Sequence, residues 1–347
     1  MERHKSVIFT RTELPSFPAS IEFAVSERPD VLRRFVETPQ WIDLVLMQRI
    51  LRLQTNSAAV LALAQKFFER HQNGKVGAPE FTWRIVCEPD PQVQSQDPSL
   101  FAFSDFGLRY VSVGQRSFLA VDVERREAVG FLADRFIEDE STIRNNRPLD
   151  LLFCMTAPSL GLTSLSGGCV GIGDRGVLVF GPPNSGKTTA CYLAAESGME
   201  FHADQMVFLD MHRGVPCVWG DFFPAVFRPK TLEFLPELRR LVRPSSHAGL
   251  DFYYFDKAPL QKTSAHPVHP VCSLFLDRGA ASEARLKQMC REDVLSRLNA
   301  CLLFREDARF ETQIQAALDA LAAQPAYCLQ YDNDPKTAAA VIQKLLR

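Results

Sequence analysis

Apolar residues recur at helical spacing in the first part of the chain. Between Arg28 and His71 they fall three or four positions apart, which is typical of amphipathic helices. A glycine at position 74 and a Gly-Ala-Pro run at 77–79 end this pattern. We therefore predict that residues 1–98 form a largely helical N-terminal region, accessory to the rest of the chain.

Shorter apolar runs follow. Those between Leu100 and Phe131 are separated by polar and glycine-containing turns, and this pattern predicts an antiparallel meander. Further on, Gly176–Phe180 predicts a strand that leads through a glycine-rich turn into a helix over Thr188–Ser197. The later patterns predict a strand at Cys272–Leu276, helices at Glu292–Phe304 and Phe310–Ala323, a strand at Ala326–Tyr331 and a terminal helix at Pro335–Leu346.

Composition is typical of a soluble globular protein. The 347 residues are 46% hydrophobic and 23% charged, and the formal net charge of -2 indicates neither nucleic acid nor an anionic membrane as a partner. The nine cysteines are odd in number and form no CxxC pair, which disfavours a disulfide framework or a thiolate zinc site. No apolar stretch has the length of a membrane span, and the charged N-terminus does not resemble a signal peptide. We therefore expect a cytoplasmic protein.

The glycine-rich turn carries the most specific signal in the sequence. Residues 181–188 match the P-loop pattern G-x-x-x-x-G-K-[ST] in full. Gly181 and Gly186 allow the backbone to curl so that its N–H groups surround phosphates at a helix N-terminus. Lys187 adds a positive charge at the β- and γ-phosphates, and Thr188 offers a hydroxyl to Mg²⁺. We expect the nucleotide to be bound by Gly181, Pro182, Pro183, Asn184, Ser185, Gly186, Lys187, Thr188 and Thr189.

An acidic residue on the next predicted strand is the second candidate. Asp204 lies 17 positions after Lys187, and its carboxylate could hold Mg²⁺ or accept a proton from an attacking hydroxyl. This spacing is short for a Ras-like or motor ATPase and more natural for a kinase. We therefore expect Lys187 and Asp204 to be catalytic, with Thr188 and Asp204 as metal ligands. A capping aspartate at a strand end is the alternative.

These residues resemble a known family. The stretch Leu165–Thr188 resembles the core of the HPr kinase/phosphorylase C-terminal-domain family, and Gly198–Leu209 and Phe223–Lys230 resemble its following segments. The resemblance implies an α/β fold shared with phosphoenolpyruvate carboxykinase, in which the P-loop sits on a mixed sheet, over residues 99–347. It also implies an enzyme, a kinase that uses ATP or another nucleoside triphosphate with Mg²⁺. The acceptor would be a serine of a protein or peptide, or a small hydroxylated molecule.

Two positions depart from the family pattern. Ser166 stands where members commonly carry a histidine, and Gln205 stands where a second aspartate is common. A catalytically silent nucleotide-binding relative that acts as a regulator or scaffold is therefore an alternative. An ordinary P-loop ATPase or GTPase is a further alternative, and it would require a parallel sheet with Asp277 beside the loop. The sequence leaves the acceptor and a homo-oligomeric state open.

Overall fold

A computed structural model describes most of the chain after residue 35. The described ranges are 36–69, 77–89, 100–105, 107–113, 117–134, 137, 148–212, 214–222, 224–247, 250–255, 266–279, 283–303, 308–332 and 334–347. The predicted helical pattern before residue 36 lies outside them. Within them the protein is a mixed α/β structure with seven α-helices. Among these seven, none has the length and apolar character needed to cross a bilayer.

The first half of the described chain forms a seven-stranded sheet of order β1-β2-β3-β7-β6-β5-β4. Strands β2 and β7 are parallel to β3, and the other neighbouring pairs are antiparallel. The antiparallel meander predicted between Leu100 and Phe131 is therefore confirmed, because β4, β5, β6 and β7 pair in sequence. The predicted boundary at residue 98 falls inside this sheet. The strands are β1 Gln40–Leu46, β2 Arg49–Thr55, β3 Phe81–Glu88, β4 Leu100–Asp105, β5 Leu108–Val113, β6 Phe118–Asp122 and β7 Glu127–Ala133.

The helical prediction between Arg28 and His71 is wrong over residues 40–55, where β1 and β2 form a hairpin. Leu44 and Leu46 on β1 and Leu51 and Leu53 on β2 are fully buried, and this spacing of two is the period of a strand. The parallel pairing of β2 with β3 stabilises the hairpin through contacts that the local pattern does not reveal. The helix α1, Ala58–Phe68, begins only after the hairpin, and Ser57 caps it.

A second helix joins the two halves of the protein. This helix, α2, spans Pro148–Thr156 and is almost entirely buried. The ring of Phe153 contacts Trp83 of the first sheet on one side and Phe208 and Phe222 of later segments on the other. The first sheet and the later chain therefore share one hydrophobic core.

A six-stranded mixed sheet of order β11-β9-β10-β17-β19-β18 leads into the glycine-rich turn of residues 181–186. Its three central strands, β10, β17 and β19, are parallel, and the outer pairs are antiparallel. The C-terminal ends of the parallel strands therefore meet at one edge of the sheet. The strands are β9 Gly168–Ile172, β10 Arg175–Phe180, β11 Glu200–Ala203, β17 His269–Arg278, β18 Arg285–Gln288 and β19 Ala326–Tyr331.

In the described residues after the first sheet and α2, two small sheets and five α-helices accompany the six-stranded sheet. One sheet contains β8 Leu162–Ser166, β12 Met206–His212 and β13 Val215–Trp219, and the other contains β14 Ala225–Phe227, β15 Val242–His247 and β16 Leu250–Phe255. The helices are α3 Lys187–Glu196, α4 Pro229–Phe234, α5 Arg291–Cys301, α6 Glu311–Ala322 and α7 Pro335–Leu346. Along β10 and β17 the side chains alternate between two cores, so that α3 and α7 pack on one face of the sheet and α5 and α6 on the other.

Candidate functional site

The glycine-rich turn between β10 and α3 is curled, with Pro182, Pro183 and Asn184 exposed and Ser185 buried. Asn184 has a φ of 66° and Gly186 a φ of 91°, and the N–H of Ser185 donates to the carbonyl of Pro182 at 3.1 Å. A Cβ atom at Gly186 would lie 2.8 Å from the Tyr331 hydroxyl, so a side chain there would collide with the side chain of Tyr331 on β19. The turn therefore needs glycine at this position, as the P-loop pattern predicts.

The helix that follows begins without a side-chain cap. Gly186 is its N-cap residue, and the N–H groups of the first turn have no partner within the helix. The positive end of the helix dipole therefore points into the curled turn, which favours an anion there. Pro182 and Pro183 lack an N–H, so the donors come from the later part of the loop, from Asn184 onward.

Lys187 is folded back over the loop. Its Nζ atom donates to the carbonyl of Gly181 at 2.7 Å and to that of Pro182 at 3.0 Å. Burial lowers the pKa of Lys187, and the negative charge of Asp204 opposes that shift. The charge of Asp204 therefore acts on the ammonium of Lys187 electrostatically.

Asp204 is buried directly after β11, with only 2% of its surface exposed. Its Oδ2 atom accepts a hydrogen bond from the N–H of Val226 on β14 at 3.3 Å. Its own N–H donates to Oδ2 of Asp221 at 3.1 Å. One hydrogen bond therefore holds the carboxylate of Asp204 and another holds its backbone, at a buried position, whereas a capping aspartate at a strand end is usually exposed.

Asp221 is a residue that the sequence did not indicate. It is fully buried, and its Oδ2 atom accepts from three consecutive N–H groups, those of Asp204, Gln205 and Met206, at 3.0–3.1 Å. These bonds fix the turn that carries Asp204. Gly220, directly before it, passes so close to the β11 segment that a Cβ atom would lie 2.2 Å from the carbonyl oxygen of His202. The Gly-Asp pair at the end of an apolar strand is the only local signal of this role.

The two positions that depart from the family pattern adjoin the turn that carries Asp204, since Gln205 directly follows Asp204 and Ser166 pairs with Met206. Ser166 is exposed at the end of β8. The side-chain amide of Gln205 donates a hydrogen bond to the backbone carbonyl of Pro224 at 3.1 Å. His202 is buried, and its Nε2 atom lies 3.6 Å from a carboxylate oxygen of Glu200.

Asp277 lies on β17, and its side chain is on the face of the sheet that packs against α5. Its strand, β17, is parallel to β10 and pairs Phe275 with Phe180, so the requirement for a parallel neighbour is met. The alternation along β17 turns Asp277 towards α5, where Arg297 lies 3.5 Å from its Oδ2 atom. Asp277 is thus paired with Arg297, whereas the carboxylate of Asp204 acts electrostatically on Lys187.

Magnesium and a nucleotide suit the donors in this site. Among the described residues there is no group of three or more histidine, cysteine or acidic side chains that could hold a metal ion. Mg²⁺ needs only one or two protein oxygen ligands when it is bound together with phosphates. The half-buried Thr188 hydroxyl and the Asp204 carboxylate supply oxygen donors of that kind, and the loop supplies the N–H groups for phosphates.

Comparisons with known proteins add little to this geometry. The chain matches no family model and no curated protein. Among the solved structures, the HPr(Ser) kinase/phosphatase from Coxiella burnetii is 12% identical to it, with a TM-score of 0.27, over 53% of this chain and 93% of that chain. A similarity at this level is too weak to assign a fold or an activity.

Proposed function

We propose that this protein is a kinase that uses ATP, or another nucleoside triphosphate, with Mg²⁺ and transfers the γ-phosphate to a hydroxyl group. The acceptor would be a serine of a protein or peptide, or a small molecule. The observation that carries the proposal is the buried Asp204 carboxylate, which lies within electrostatic range of Lys187 beside the curled loop. A positive charge for the phosphates and a carboxylate for the acceptor are the two groups that phosphoryl transfer needs.

Each residue has a distinct role in this proposal. The N–H groups of the loop and of the first turn of α3 hold the β- and γ-phosphates, and Lys187 leaves the carbonyls of Gly181 and Pro182 to contact them. Thr188 and Asp204 supply oxygen ligands to Mg²⁺, which when bound offsets the negative charge of the phosphates. Asp204 also accepts the proton of the attacking hydroxyl.

One observation favours the catalytically silent alternative. The side chain of Gln205 is engaged with the backbone of Pro224, so it does not replace the second carboxylate of the family pattern. With one carboxylate fewer, metal binding is weaker, and a chain that binds the nucleotide without transferring phosphate would act as a regulator or scaffold. Binding and transfer must therefore be measured separately.

The test compares three variants in one assay with radiolabelled ATP, Mg²⁺ and a library of serine-containing peptides and small alcohols. We expect Lys187→Ala to lose both ATP binding and transfer, and Asp204→Asn to bind ATP but transfer phosphate at least about 100-fold more slowly. Lys344→Ala removes the same charge from the exposed last turn of α7 and should behave as the wild type. Wild-type binding without any transfer would support the silent alternative, and unchanged transfer by Lys187→Ala would rule the kinase mechanism out.

A further inference from the structure

A cavity of about 500 Å³ lies between the end of α4 and the start of α7. Its volume is in the range of small-molecule sites in proteins. Phe234, which is 46% exposed, contributes an aromatic wall, and the carboxylates of Asp332 and Asp334 contribute acceptors. The lining residues are Phe234, Leu235, Asp332, Asp334, Pro335 and Lys336.

One wall of this cavity is attached directly to the P-loop. Tyr331, the residue before Asp332, is fully buried, and its hydroxyl donates to the carbonyl of Ser185 in the loop at 2.7 Å. The strands β10 and β19 are both parallel to β17, so the P-loop and the start of α7 lie at the same edge of the sheet. The helices α3 and α7 also pack against each other. The cavity therefore lies next to the end of the loop where α3 begins.

The opposite wall is attached to the Asp204 side of the site. Helix α4 begins at Pro229, close behind the strand β14. The N–H of Val226 on that strand donates to the carboxylate of Asp204. The cavity thus lies between a segment that follows Tyr331, which contacts Ser185, and a helix that follows β14, which contacts Asp204. This arrangement allows one ligand to contact the loop and the cavity together.

The loop and the cavity wall differ in charge. The loop offers N–H groups and an ammonium, which attract phosphates, whereas the cavity wall has two carboxylates against one lysine, which do not. Asp332 and Asp334 each use one oxygen for a backbone N–H at 2.9 Å, that of Asp334 and that of Lys336 respectively. A carboxylate has two oxygens, so each retains an acceptor for hydroxyl or amino donors of a ligand.

The geometry points to this cavity as the site of the nucleoside half of the nucleotide, with the base against Phe234 and the ribose hydroxyls donating to Asp332 and Asp334. Aromatic rings stack on bases of any identity, and carboxylates are suitable acceptors for ribose hydroxyls. This inference rests on the proposed function, because it assumes that the triphosphate occupies the loop. It adds that the protein selects ribonucleotides over bare polyphosphate.

The test measures the affinity of the full chain for ATP and for inorganic tripolyphosphate, both with Mg²⁺, by isothermal titration calorimetry. Asp332→Asn keeps one oxygen for the N–H of Asp334 and replaces the other by an amide donor. We expect Asp332→Asn and Phe234→Ala each to weaken ATP binding about tenfold and to leave tripolyphosphate binding unchanged. The controls are Asp174→Asn in the exposed turn at the other end of β10, and Trp41→Ala on β1, which is 56% exposed.

The outcomes separate the two proposals. If the wild type binds tripolyphosphate as tightly as ATP, or if neither variant changes ATP affinity, the loop binds phosphates but the cavity does not hold the nucleoside. If the affinities for ATP and for tripolyphosphate fall equally in Asp332→Asn and Phe234→Ala, the variants act through the loop, and the inference is again overturned. If the wild type binds neither ligand, the proposed function itself fails, and the nucleoside site fails with it.

Discussion

Replacing Asp221 by asparagine tests whether this residue positions Asp204. Oδ2 of Asp221 accepts hydrogen bonds from the N–H groups of Asp204, Gln205 and Met206, and Asp221 has no exposed surface. Asparagine has nearly the same shape and still offers one carbonyl oxygen. The substitution therefore removes the negative charge from three hydrogen bonds while it leaves the packing in place.

The size of the effect follows from these three bonds. A hydrogen bond to a charged group stabilises a protein by about 1.5–3 kcal/mol, and a neutral one by about 1 kcal/mol. Because the three donors share one oxygen, their contributions do not simply add. We expect Asp221→Asn to lower the free energy of unfolding by about 2–4 kcal/mol, which is less than the 5–15 kcal/mol that holds a typical protein folded. The variant should therefore fold, with a less well fixed Asp204.

Urea denaturation followed by circular dichroism measures the free energy of unfolding, and the kinase assay measures transfer. Asp43→Asn is the matched control, because Asp43 pairs with Arg52 at 2.8 Å on a partly exposed surface. A surface ion pair of this kind contributes about 0–1 kcal/mol. We expect Asp221→Asn also to lower kcat more than it raises KM for ATP, since Asp204 acts in the chemical step of the proposed mechanism. A loss of stability no larger than that of Asp43→Asn, with transfer intact, would refute the positioning role.

Two further substitutions test the packing around the site. Gly220→Ala should lower the free energy of unfolding by about 1–3 kcal/mol, because its methyl group would meet the backbone of His202, and a melting temperature equal to the wild type would contradict this contact. Tyr331→Phe leaves the carbonyl of Ser185 without its donor. We expect a loss of about 1–2 kcal/mol in thermal unfolding and weaker tripolyphosphate binding, and unchanged values of both would show that the hydroxyl does not hold the loop.

The local part of the site could be predicted from the sequence. The turn between β10 and α3 consists of consecutive residues, and a short pattern encodes its curled backbone through the glycines. Asp204 could be anticipated because only one helix separates it from the loop. Asp221 and Tyr331 could not, since they contact Asp204 and Ser185 across 17 and 146 positions of the chain. Such contacts depend on how strands pair, and a local pattern does not encode strand pairing.

The N-terminal error has the same physical origin. Leu44, Met47 and Leu51 lie three and four positions apart, as in a helix, whereas Leu44 with Leu46 and Leu51 with Leu53 lie two apart, as in strands. The choice between the two patterns depends on whether β3 is available as a partner. Tertiary contacts also distinguish Asp204 from Asp277. Both come after apolar strand residues, but Asp277 lies 3.5 Å from Arg297, whereas Asp204 acts electrostatically on Lys187. These two contacts, which the sequence alone does not reveal, are the reason that the proposed function gives the catalytic role to Asp204 rather than to Asp277.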